Sequence, residues 1–174
     1  MLRRNTKWCP PRQWWFKENS NGVARWYLGE VDARGVIRMH VGEMVVAYSG
    51  NLKGSTNDQV EGMVLLWGLK VSLSIGFKAL TTEGDSKLMI DAVKGLNKVN
   101  WSIEGIIKDI HKFLLGLEHF EIGHVYREGN EVVDALAALG SQIKGCRFWR
   151  RKDSLPNNAQ LLLHGESQAL DSNG

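Results

Sequence analysis

The hydrophobic period of this chain first changes just after Gly50, and that change restricts the fold more than any other feature. Up to Gly50 apolar residues tend to alternate. "GVIRMHV" (35–41) and "MVVAYSG" (44–50) flank Gly42-Glu43, which predicts two strands joined by a tight turn. Upstream, "WWFKENS" (14–20) alternates loosely and ends at Asn21-Gly22, a turn signal. Beyond Gly50, Val60, Val64, Leu65, Trp67 and Leu69 fall roughly on one face of a helix. Ser55 or Thr56 can cap its start, and Gly76 stops it.

The two periods then take turns. "FKALTTEGDS" (77–86) predicts a short strand running into an acidic turn. "SKLMIDAVKGL" (86–96) predicts a short helix capped by Ser86. "SIEGIIKDIHKFLLGL" (102–117) carries Ile103, Ile106, Ile107, Ile110 and Leu114 at helical spacing. "HFEIGHVYR" (119–127) predicts a strand, and "NEVVDALAALGSQIKG" (130–145) a final helix capped by Asn130. The order β-β-β-α-β-α-α-β-α predicts one α/β domain. Its five-stranded mixed sheet has three antiparallel strands followed by strands alternating with helices. Residues 1–13 read as an irregular basic lead-in, 14–145 as the domain, and 146–174 as a polar tail without order.

A chain of 174 residues, 43% apolar and 24% charged, can bury one core. No apolar run reaches membrane-spanning length, and the basic start lacks the apolar stretch of a secretory signal. The expectation is an intracellular protein, in cytoplasm or nucleus, with no membrane partner. Cys9 and Cys146 stand far apart, outside metal-ligand spacing, which argues against a disulfide framework or zinc site. Charge is uneven. Residues 1–17 hold five Lys/Arg and no acid, residues 144–152 hold five more, and 18–143 hold 12 basic against 16 acidic side chains. The basic flanks are either phosphate contacts or solvated ends.

Four polar residues fall at junctions between elements: Asn21, Glu61, Asp85 and Asp134. Sites in α/β sheets gather at strand ends, and converging carboxylates there can hold a divalent ion. Each also has a plain structural reading. Glu61 and Asp134 sit near helix starts, where the dipole favours acids, and Asp85 precedes a cap.

Read together, these segments resemble ribonuclease H of type 1, nearest its plant retroelement-derived branch. "WCPPRQWWFKENSNG" (8–22) is similar to that branch's opening, and "ARGVIRMHVGEMVVAYSGNL" (33–52) to its glycine-bearing hairpin. "STNDQVEGMVLLWGLKVSLSIG" (55–76) resembles its Asn-x-x-Ala-Glu helix. The most specific matches are "TTEGDSKLMI" (81–90), to a Glu-x-Asp-Ser strand end, and "HVYREGNEVVDALAALG" (124–140), to a His-Val-x-Arg-Glu-x-Asn-x-x-Ala-Asp-x-Leu-Ala helix. The resemblance implies a ribonuclease H-like fold and a nucleic-acid partner, the RNA–DNA hybrid. It also implies endonucleolytic hydrolysis of the RNA strand at a site of two Mg²⁺ ions, with Mn²⁺ as a substitute. Glu61, Asp85 and Asp134 match three of the family's four metal-binding acids. Asn57 matches a substrate-contacting asparagine. Arg127 and Asn130 match the Arg-Glu-x-Asn turn, with Asn130 structural and Arg127 either a phosphate contact or a strand end.

The chain departs from the pattern at the fourth acid, where it has Asn21. An amide oxygen can coordinate a hard cation but brings no charge. Glu18, three residues earlier, points to the opposite face of a strand. Glu30 and Asp32 reach the site only if their loop folds back. Val60 and Val133 stand where alanine is usual and are expected to crowd the helices. His124 reads as a packing or surface residue. Two functions remain: a metal-dependent hybrid ribonuclease impaired by Asn21, or a catalytically inactive nucleic-acid-binding module derived from a retroelement. Nothing calls for more than a monomer.

Overall fold

Alternation at period two produces three long antiparallel strands. They are β1 (Phe16–Arg25), β2 (Glu30–Met39) and β3 (Met44–Lys53). The computed structural model describes residues 7–25, 30–53, 56–126, 129–136 and 146–171. The β2–β3 turn closes at Gly42, whose φ of 82° suits glycine. The helical period then gives α1 (Asn57–Ile75), started by Thr56, whose side chain accepts from the Gln59 amide, and ended by Gly76. After it come β4 (Ala79–Gly84), α2 (Lys87–Val93), α3 (Trp101–Leu114), β5 (His119–His124) and α4 (Glu131–Ala135). A short strand β6 (Arg147–Trp149) and helix α5 (Asn157–Asp171) follow.

The sheet order is β5-β4-β1-β2-β3-β6. β1 is antiparallel to β2 and parallel to β4, and β5 continues parallel beyond β4. Helices cover both faces. On one side Leu65, Leu69, Ile103, Ile107 and Ile110 of α1 and α3 pack on Leu80 and Ile122. On the other, Val132, Val133 and Leu136 join Leu155, Ala159 and Leu163 over Val36, Ala47 and Trp149.

Several expectations change. The sheet has six strands rather than five, and the segment from 146 is not an unordered tail. It supplies β6, paired to β3, and α5, packed on α4. Its apolar signal is sparse because Leu155, Ala159 and Leu163 form a single narrow stripe among polar residues. The bound helix buries that stripe completely enough to hold it.

Asn21-Gly22 is not a turn. β1 runs through it, with Asn21 opposite Arg34 and Gly22 opposite Ala33. The glycine serves close approach instead, since a Cβ there would lie 2.7 Å from Val60 Cγ1 and from Val64 Cγ2. That space lets Val60 pack against the sheet, 2% exposed, and Val133 is likewise fully buried.

The helix at 130 is not the last one. Asn130 occupies its cap position but makes no capping bond, donating instead to β1. Residues 137–145 lie outside the described part of the chain.

Candidate active site

The parallel register of β1 and β4 brings the first two candidates side by side. Asn19 pairs with Glu83, so two residues further along Asn21 and Asp85 reach the same level of neighbouring strands. Asp85 follows the last residue of β4. Its turn is pinned on both sides. Ser86 caps α2 by accepting from the Met89 amide at 3.3 Å, and His124 Nε2 donates to the Asp85 carbonyl at 3.0 Å. His124 is thus an exposed residue that ties β5 to the turn carrying Asp85.

Glu61 comes from α1, one residue after Val60, so the packing of Val60 over Gly22 sets its height above the sheet. Its carboxyl hydrogen-bonds that of Asp85. Burial is the main force pushing the Glu61 carboxyl up to about 8, helped by the charge of Asp85 and the hydrogen bond to it, then by Asp58. Beneath this pair a cavity of about 20 Å³, bordered by Ser20, Thr82, Gly84 and Ser86, has room for about one water molecule.

Asn21 and Asp134 form a second pair, with Asn21 Nδ2 donating to Asp134 Oδ1 at 3.3 Å. α4 is held there by Asn130, whose buried Nδ2 donates to the Ser20 carbonyl at 3.3 Å. Opposite Asn21 on β2 stands Arg34, and its Nη2 lies 4.0 Å from the same Asp134 oxygen. Asp32 is also buried on this face, two residues along β2. It needs no folded-back loop to get there.

Ser20 and Asn21 thus separate two pairs, Glu61–Asp85 toward α1 and Asn21–Asp134 toward α4. Among the described residues, no group of three or more His, Cys, Asp or Glu lies close enough to hold a metal ion. As they stand, the donors do not fit a two-metal site. One ligand is an uncharged amide bonded to its neighbour, and a guanidinium faces the carboxylate on that side. Asn57 is exposed at the start of α1, one turn before Glu61. Arg127 lies outside the described residues.

Glu18 takes the opposite face, as its position on the strand requires. It is fully buried under Gly68 and accepts from the Tyr48 hydroxyl at 2.5 Å, and burial pushes its carboxyl up to about 7. The basic lead-in is partly committed elsewhere. Arg12 pairs with Glu121 and Lys17 with Glu83. In the other basic run, Arg147, Arg150 and Lys152 are exposed, while Arg151 pairs with Asp153. Arg34 and Arg38 are the residues that sequence reasoning passed over. The available signal was "ARGVIR", which puts Arg34 and Arg38 two positions either side of the core residue Val36, on its face of the strand.

The chain is similar to known proteins of one kind. The reverse transcriptase-like family profile matches residues 19–140. A protein of Arabidopsis thaliana, provisionally named a ribonuclease H protein, is 28% identical over 140 residues. The match covers 78% of this chain but only 22% of that protein, so the chain spans about a fifth of its length. The crystal structure of ribonuclease H1 from the archaeon Halobacterium salinarum superposes with a TM-score of 0.66 at 25% identity, over 70% of this chain and 93% of that one. LC11 ribonuclease H1, isolated from compost and solved in complex with an RNA/DNA hybrid, gives 0.62 at 20% identity, over 68% and 91%. With residues 19–140 matched and a ribonuclease H fold in place, the chain belongs to the reverse transcriptase-like family of ribonuclease H-type domains.

Proposed function

We propose that the chain is a ribonuclease H-type domain that binds RNA–DNA hybrids and hydrolyses them poorly or not at all. The observation that carries this reading is the Asn21–Asp134 hydrogen bond, with Arg34 beside it. In the family's chemistry Asn21, Glu61, Asp85 and Asp134 would all face the scissile phosphate through divalent ions. Here the first position has lost its charge, and its amide is turned onto the fourth. The exposure of Asn57, one turn before Glu61, supports a contact with the sugar-phosphate backbone. Exposed Arg147, Arg150 and Lys152 supply sequence-independent attraction to phosphates. A retroelement origin accords with the family.

The second reading is a working, Mg²⁺- or Mn²⁺-dependent hybrid ribonuclease. The closeness of Glu61 and Asp85 favours it, because those two carboxyls meet without help from Asn21.

Binding tests the proposal. A fluorescently labelled RNA–DNA hybrid titrated with the protein should show saturable binding, tighter than a DNA duplex of the same sequence. The logarithm of affinity should fall linearly with the logarithm of salt. Replacing Arg147, Arg150 and Lys152 with glutamine should flatten that slope by about 2–3. Equal affinity for hybrid and DNA duplex would overturn the assignment to hybrids.

A further inference from the structure

The β1–β2 ladder puts a basic side chain where the sequence resemblance leads one to expect only metal-binding acids. Asn21 and Arg34 are directly opposed and therefore share a face of the sheet, where opposed side chains in an antiparallel pair touch. Both address one oxygen. Asp134 Oδ1 accepts from Asn21 Nδ2 at 3.3 Å and stands 4.0 Å from Arg34 Nη2. The Arg34 side chain is 7% exposed and that of Asp134 32%. A guanidinium stays charged at any physiological pH, and a buried one is retained only beside compensating acids. Asp134 is one such acid. Asp32, buried on the same face and about 6–7 Å along the strand, is another.

We propose that Arg34 is the resident cation of this site, neutralising Asp134 from within and so keeping a divalent ion out of the half of the site formed by Asn21 and Asp134. This rests on reading Asn21, Glu61, Asp85 and Asp134 as the family's metal positions. Two changes then act together. The amide at Asn21 removes a ligand charge, and the guanidinium of Arg34 supplies a fixed positive charge that repels the incoming ion. Restoring the acid alone is not enough, because a carboxylate at position 21 would lie directly across the ladder from Arg34 and pair with it.

Mn²⁺ binding by the full chain tests this without reference to activity, read by calorimetry and by the electron paramagnetic signal of the free ion. The unaltered protein, Asn21→Asp and the charge-keeping pair N21D with R34K should all bind weakly. N21D with R34Q should bind at least 10-fold more tightly. If Asn21→Asp alone binds as tightly as N21D with R34Q, Arg34 excludes nothing and the proposal falls, while the reading of the four positions stands. If N21D with R34Q folds, by circular dichroism and a cooperative melt, and still binds no better than the unaltered chain, that reading falls and the proposal with it.

Should the glutamine variant not fold, Asp134→Asn in the unaltered chain carries the test. Loss of the carboxylate that compensates Arg34 should lower the melting temperature by at least about 2–4 °C. An unchanged or raised melting temperature overturns the pairing.

Discussion

Asn130 and Ser20 are joined by a hydrogen bond 3.3 Å long, from the asparagine Nδ2 to the serine carbonyl, across 110 positions of chain. The bond seats α4 on β1 and so brings Asp134 to Asn21. It is a tether rather than a helix cap, since Asn130 makes no capping bond.

The distinction is measurable. Aspartate caps helices as well as asparagine does, so a capping role would tolerate Asn130→Asp. A tether to a carbonyl does not, because a carboxylate has no proton to donate. Asn130→Asp should therefore destabilise the protein at least as much as Asn130→Ala, by about 1–3 kcal/mol in urea unfolding. A neutral Asn130→Asp would return the residue to a capping role.

The C-terminal segment should be indispensable to the fold. Removing residues 146–174 uncovers Val36, Ala47, Val132 and Val133 and takes away Trp149, Leu155 and Leu163. Each large apolar side chain is worth about 1.5–3 kcal/mol on burial. The same deletion strips Glu166 from Arg38, which is 1% exposed and keeps the Asn19 amide oxygen and the Trp8 ring, and breaking such a buried ion pair costs about 3–5 kcal/mol. Such losses match or exceed the whole stability of many domains. The truncated chain should show no cooperative thermal transition, and an unchanged melt would contradict the packing described for α5.

Stability should decline as pH rises through the range below neutrality. Burial lifts the Glu18 carboxyl from 4.5 to about 7, so between those values the folded state holds a proton that the unfolded state has released. The folded state is therefore favoured at low pH, and the advantage fades as pH approaches 7, by about 3 kcal/mol in all. Glu61, also raised, adds a slope of the same sign. The difference between the unaltered protein and Glu18→Gln isolates Glu18. The glutamine variant should be comparable at pH 5 and more stable at pH 8. Parallel pH profiles for the two would show that Glu18 does not titrate in this window.

The sequence made some of this plain and hid the rest for physical reasons. Alternation around Gly42 and the helical spacing of the isoleucines at 103, 107 and 110 marked their elements, because each buries one regular face. Glu61, Asp85 and Asp134 stood out through the family resemblance. Arg34 did not. A charged residue on an alternating strand reads as solvent-facing, and only α4, arriving from 100 residues away, turns that face into an interior. Asn21-Gly22 looked like a turn because nothing local reveals that α1 presses on the glycine. α5 was missed because its apolar stripe is a single row, recognisable once Trp149 and Val36 lie beneath it.

The most direct test of the central claim is cleavage of an end-labelled RNA–DNA hybrid by the unaltered protein and by Asp85→Asn, with protein in excess, in Mg²⁺ and separately in Mn²⁺. The hybrid should be bound by the unaltered protein and cut slowly or not at all by either protein. Rapid cutting by the unaltered protein that Asp85→Asn abolishes would contradict that claim, and would make the site a working nuclease with an amide in place of its first acid.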